Sequence, residues 1–381
     1  MTAVPRPRAR RSHLVAGALR LTRRLGGHPT LASIPQAVLG VGGRVFAARA
    51  RDESAAGLRA PHPLARTLLE RFLPAHRRFS DMPLPAARAA YRRVATYLPP
   101  ERFAAPVPFT VTAGGHKVRI RVHGPGRADL AVVFYFHGGG FVLGDLDTAE
   151  PECGAIASAA AAAVVSVGYP LAPEQRFPVP VEVSIAAVRQ VMAAPERFGI
   201  VGAGEMVLAG ESAGANIALN CALALRGDPH ATVAGLGLVC PLVDLRLTNA
   251  SVKEFGGEYL LTRDDLEFFV ASYLPSPELA DDPRASPVLT EDLTGLPRTV
   301  IVSAGYDPLV DEAEHLARRM VDAGVDAQHV VHERLIHGFL QWRGILPERL
   351  DALERIGRLA RPRPSPALHG RRTGADSGRI G

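Results

Sequence analysis

Short apolar runs bounded by turn residues recur through the middle of the chain. Residues 131–136 and 163–167 are nearly free of polar side chains, and so are 206–209, 235–239 and 299–303. Runs of that length without alternation are what strands buried on both faces look like. Before them, 109–112 and 118–122 alternate apolar and polar positions, and Gly114-Gly115 between them predicts a hairpin turn. A last strand is expected at 328–332. Helical spacing predicts helices over 181–192, 215–225, 310–323 and 347–359, with an alanine-rich helix after residue 141. Strands and helices therefore alternate from about 106 to 360. That order predicts an α/β fold with a mostly parallel central sheet and helices on both faces.

Two stretches break the alternation. Residues 28–105 read as a helical region, with Leu64, Leu68, Leu69 and Phe72 at helical spacing, and Ala86, Ala90 and Val94 likewise. They carry no chemistry of their own and are long enough to lie across a site. Residues 245–297 are irregular and aromatic, with Phe255, Tyr259, Phe268, Phe269 and Tyr273. The segment is too long for a plain loop. It is expected to form a cap over the sheet, its aromatics lining a pocket or packing the cap's own core. Beyond Arg361 the Arg, Pro, Ser and Gly content predicts a disordered tail over 361–381.

The net charge of +6 belongs to the ends of the 381-residue chain. Ten arginines precede the first acid, Asp52, and the tail from Arg361 holds five arginines against Asp376. The body between them is mildly acidic, which argues against a nucleic-acid partner. Residues 1–27 are expected to be a flexible basic extension. A contact with an anionic membrane surface is the alternative. Arg20 interrupts the only apolar patch there too early for a secretory leader, and no run approaches the ~18–20 residues of a membrane span. Cys153, Cys221 and Cys240 are scattered, without a C-x-x-C pair. They read as buried thiols in a reducing, cytoplasmic setting, and no metal site is expected.

The chemistry centres on Gly210-Glu211-Ser212-Ala213-Gly214, which follows an apolar run and opens an alanine-rich one. Strand, sharp turn and helix in that order make a nucleophile elbow, with Ser212 at a strained corner. A serine hydroxyl needs a base in reach, and the base needs an orienting carboxylate. In α/β sheets such groups lie beyond the carboxyl ends of strands. Asp307 follows the strand at 299–303 and His337 follows the last strand, so Ser212, Asp307 and His337 are the expected triad. Asp311 is the rival acid, better read as a helix-start carboxylate or a support for the loop, and Asp244 is a weaker alternative. Gly138, Gly139 and Gly140 follow a central strand, and their N–H groups, with that of Ala213, are expected to hold an oxyanion. His137 and Glu211 are expected to brace these loops. No Gly-Lys-Ser/Thr follows the glycines, which excludes a phosphate loop.

With these motifs the chain resembles the hormone-sensitive-lipase-like family of α/β-hydrolase esterases. The resemblance rests on His137-Gly138-Gly139-Gly140-Phe141, on Tyr169 with Leu171-Ala172-Pro173-Glu174, and on Gly210-Glu211-Ser212-Ala213-Gly214. It extends to Asp307-Pro308-Leu309 with Asp311-Glu312 and to His337-Gly338-Phe339. It implies an α/β-hydrolase fold and a carboxylesterase or lipase acting on small ester substrates without metal or cofactor. It further implies short to medium acyl chains and a cap built from the N-terminal helices and the insertion after Cys240, and it allows a homo-oligomer. The chain departs from the family pattern at Glu211, where Asp is usual, at Pro170 and Gln175-Arg176, and in its long Arg-rich N-terminus. A binding protein on a retired hydrolase framework is the competing class; such proteins lose a triad member, and here all three are present.

Overall fold

A computed structural model describes residues 61–63, 65–66, 78–96, 101 and 103–362, apart from 125, 202–203, 258 and 345. The expectations for the basic extension, for the helix through Leu68 and Phe72, and for the tail after Arg361 fall outside these residues, save Arg361 and Pro362.

Eight strands form one sheet in the order β1-β2-β4-β3-β5-β6-β7-β8. The strands are β1 (Val107–Ala113), β2 (His116–His123), β3 (Val132–Phe136) and β4 (Val164–Gly168). They continue with β5 (Glu205–Glu211), β6 (Thr232–Val239), β7 (Thr299–Tyr306) and β8 (Ala327–Ile336). β2 pairs antiparallel with β1 and with β4; β3 to β8 are parallel. The expected hairpin closes at Ala113↔His116, with Gly114 and Gly115 at φ 56° and 80°. Those left-handed values suit a two-residue turn that follows the strand twist.

The apolar runs are the strands because only there can both faces be covered. Every residue of β3 is buried. Helices α3 (Val179–Ala193), α4 (Ala213–Leu225) and α7 (Val310–Asp322) cover one face. Helices α2 (Leu146–Ala160) and α8 (Pro347–Leu359) cover the other. Ahead of them, α1 (Leu84–Thr96) packs near α2, while α5 (Ala250–Phe255) and α6 (Arg263–Tyr273) lie between β6 and β7.

Topology decides where a ligand can sit. β3 is flanked by β4 on one side and β5 on the other, so successive connections leave it in opposite directions. A crevice opens at the carboxyl ends of strands at such a switch point. Phe136, the last residue of β3, pairs with Gly210 of β5. The Gly138-Gly140 loop and Ser212 therefore emerge side by side. β7 and β8 run further than their sequence signal, to Tyr306 and Ile336, because Tyr306, Leu335 and Ile336 are buried against the second face. Asp307 and His337 thus follow their strands directly.

Candidate active site

Ser212 sits between β5 and α4 with φ 55° and ψ −119°, a conformation L-residues rarely adopt. Its N–H donates to the Val239 carbonyl at 2.9 Å, and its carbonyl accepts the N–H of Leu242 at 3.2 Å. The corner is tight because the flanking glycines let backbone touch backbone. A Cβ on Gly210 would lie 2.4 Å from the Gly214 carbonyl carbon, and one on Gly214 would lie 2.0 Å from the Phe136 oxygen. Ala213 opens α4, so its N–H has no intrahelical acceptor.

The glycine loop after β3 is bent by Gly139 at φ 118° and Gly140 at φ 61°. No carbonyl among the described residues takes the N–H of either. The Gly139 carbonyl accepts from Val142 and Leu143. His137 anchors it. Its Nδ1–H donates to the Gly138 carbonyl at 2.8 Å, and its ring stacks on Tyr169 at 4.3 Å. The Tyr169 hydroxyl donates to the His137 carbonyl at 2.7 Å. Burial lowers the His137 pKa, so a neutral ring serves this role. Tyr169 belongs to the motif noted above, but its contact with His137 was not foreseen.

His337 and Asp307 are paired across the ends of β8 and β7. His337 Nδ1–H donates to Asp307 Oδ2 at 2.8 Å, and Asp307 Oδ1 accepts the Leu309 N–H at 2.9 Å. Asp307 is 1% exposed and His337 9%. Burial opposes the imidazolium, but the Asp307 carboxylate, aided by Glu211, outweighs it and holds the His337 pKa above 6.5. Ser212, His337 and the three glycines line one pocket.

The two rival acids lie elsewhere. Asp244 is held by Arg246, with Nε and Nη2 each at 2.8 Å, and faces Asn249 rather than His337. Asp311 accepts the Ser251 N–H at 2.8 Å, while Ser251 Oγ donates to the Pro308 carbonyl at 2.6 Å. Asp311 thus ties the start of α5 to the Asp307 turn, the supporting role expected of it.

Three neighbours were missed by the reading of the sequence. Cys240, at φ 42° just past β6, is buried, and its thiol lies beside Asp307. Nothing in its sequence context distinguishes it from an inert core thiol. Cys240, Asp307 and His337 bring their donor atoms within 4.8 Å of one another, the only such metal-like cluster among the described residues. The His337–Asp307 hydrogen bond accounts for two of the three. Asn216 donates from Nδ2 to the carbonyls of Leu242 and Ala285, both at 2.9 Å, binding α4 to the segment after β6. Gln341 donates to Glu211 Oε2 at 3.4 Å. Glu211 is buried and lies against Gly138, and desolvation raises its pKa.

Apart from Tyr91, the rest of the pocket is apolar. Phe79, Leu242, Leu260, Leu261, Leu266 and Phe269 line it. Phe79 reaches it on a short helical turn held to the start of α6: Arg78 pairs with Asp264, and the Ser80 N–H donates to Asp265 at 3.1 Å. Phe255 and Tyr259 pack on Tyr306 instead, and Tyr273 stacks on Phe141 at 3.8 Å. Of the aromatics in this segment, Phe269 alone lines the pocket.

An elbow serine, a buried His-Asp pair and a glycine loop around one crevice define a hydrolase framework. The alpha/beta hydrolase fold family matches residues 133–341, and the chain belongs to it. An ethyl acetate hydrolase from Pseudomonas putida is 32% identical, the match covering 64% of this chain and 77% of that protein. The carboxylic ester hydrolase LipN of Mycobacterium tuberculosis is 35% identical, over 68% of this chain and 71% of its own. Among solved structures, a hyperthermophilic esterase from Pyrobaculum calidifontis superposes with a TM-score of 0.72 at 33% identity. It covers 78% of this chain and 97% of its own. The expected fold and the resemblance to α/β-hydrolase esterases are both borne out.

Proposed function

We propose that this chain is a serine carboxylesterase whose triad is Ser212, His337 and Asp307. The observation that carries the reading is the 2.8 Å His337–Asp307 pair facing the same pocket as the strained Ser212 corner. His337 Nδ1 is committed to Asp307, which leaves Nε2 to take the Ser212 proton as Oγ attacks the ester carbonyl. The imidazolium formed is stabilised by Asp307. The N–H groups of Gly139, Gly140 and Ala213, with Gly138 setting the loop, receive the developing oxyanion. His337 then protonates the departing alcohol, and water releases the acid by the same route. The relatives named as ester hydrolases support the reaction class.

Acyl chains are short to medium, because Phe79 and Phe269 close over the glycine loop. Their rings are 6.5 Å apart, and a Cβ on Gly140 would lie 2.3 Å from the Phe269 ring. Residues 245–297, with α1 and the Phe79 turn, act as a cap over this site. No helix among the described residues is long and apolar enough to cross a membrane.

Initial rates on p-nitrophenyl esters of increasing chain length, with Ser212→Ala alongside, test the assignment. Removing the nucleophile should lower kcat by roughly 10⁴–10⁶-fold in a protein that remains folded. Retained turnover would overturn it.

A further inference from the structure

The pocket is apolar apart from a few polar side chains. Apart from Ser212 and His337, three polar side chains line it: Glu211, Gln341 and Tyr91. They are short of partners. Glu211 is 4% exposed, yet it accepts only the 3.4 Å bond from Gln341, and its second carboxylate oxygen accepts none from a described residue. The Tyr91 hydroxyl makes no hydrogen bond with a described residue. These atoms are not sealed inside the protein but open onto the pocket, and a few placed polar groups in an apolar pocket orient what binds there.

Building on the esterase reading, we infer that Glu211 and Gln341 form a specificity site for a hydroxyl on the alcohol portion of the ester. The side is set by the catalytic geometry. The leaving oxygen must lie beside His337, and Gln341 stands on the short helical turn Phe339–Gln341 that follows it. Gly140, Phe269 and Phe79 bring no charged or amide side chain to the other arm, where the Tyr91 ring packs on Phe79 with centroids 5.9 Å apart. A hydroxyl suits the Glu211–Gln341 pair because it both donates and accepts. It can donate to an ionised Glu211 or accept from a protonated one, and burial draws that carboxyl toward the neutral form. The substrate class is then the monoesters of diols and polyols.

The test compares kcat/KM for hydroxyethyl butanoate with that for propyl butanoate, its isostere without the hydroxyl. The hydroxylated ester should be preferred by about tenfold, the worth of one or two buried hydrogen bonds. The preference should persist in Glu211→Gln, fall toward unity in Glu211→Leu, and weaken in Gln341→Met. Labelling of Ser212 by a fluorophosphonate checks that each variant keeps a folded site. Ethyl β-hydroxybutanoate against ethyl isovalerate provides the acyl-side arm. Equal rates within the hydroxyethyl pair, or a preference that survives Glu211→Leu, would overturn the inference. So would a preference confined to the acyl-side pair. Failure to cleave any of the four esters, with Ser212 unlabelled, would instead count against the esterase reading itself.

Discussion

The Nδ1–H of His337 points at Asp307 Oδ2 from 2.8 Å, and the carboxylate beneath it is 1% exposed. A buried carboxylate so placed selects one imidazole tautomer and one ring orientation. Asp307→Asn preserves shape but can present an N–H to Nδ1, favouring the wrong tautomer. Its kcat should fall by about 10³–10⁴-fold, with substrate affinity little changed. Steady-state kinetics on one short ester checks this.

The same pairing sets the pH response. As the proposed base, His337 must be neutral to take the Ser212 proton, and its pKa is held above 6.5. Activity should therefore fall with decreasing pH through a midpoint above 6.5 in the kcat/KM profile. Glu211 adds to the upward shift, so Glu211→Gln should move that midpoint down. A midpoint unmoved in the variant would remove Glu211 from the electrostatics of the base.

Phe269 determines how much room lies beyond the glycine loop. Phe269→Ala removes the ring that crowds Gly140 and should shift the preferred acyl chain to greater length. Gly140→Ala, in contrast, introduces a Cβ 2.3 Å from that ring at a left-handed φ, and should lose activity on every ester. The chain-length series measured on both variants separates the two effects.

Asn216 holds the site from below. Asn216→Ala would leave the buried carbonyls of Leu242 and Ala285 without the donors they now have at 2.9 Å. Each lost partner costs about 1–3 kcal/mol. The midpoint of urea unfolding should fall accordingly, while Gln341→Met, at a half-buried position, should change it much less.

Gly214→Ala is expected to be worse than any of these for folding. Its Cβ would meet the Phe136 oxygen at 2.0 Å, and both atoms belong to buried backbone that has no rotamer to yield. A loss of about 3 kcal/mol, or failure to fold, is expected from overpacking of this kind; thermal melting reads it.

Much of the molecule was legible in the chain. The apolar runs at 131–136 and 299–303 became β3 and β7 because a strand covered on both faces needs little else, and 347–359 appeared as α8 with the expected bounds. Ser212, Asp307 and His337 could be singled out because each comes shortly after an apolar run, in the order Ser, Asp, His, and such runs are local features. Strand lengths were less legible. β8 extends to Ile336 because Leu335 and Ile336 find cover from the far side of the sheet, which no local pattern announces.

The alternation of strands and helices along the chain, the elbow, the glycine loop and the residue types after three strands were determined by the sequence itself, through periodicity and turn chemistry that act over a few residues. Tertiary structure alone decided the rest. It rejected Asp244 by giving it to Arg246, drew Cys240 to Asp307, put Phe269 rather than Phe255 in the pocket, and left Glu211 short of partners beside Gln341. Each of these depends on side chains distant in sequence competing for the same space and the same hydrogen bonds, and that competition exists only once the sheet has closed its neighbours together.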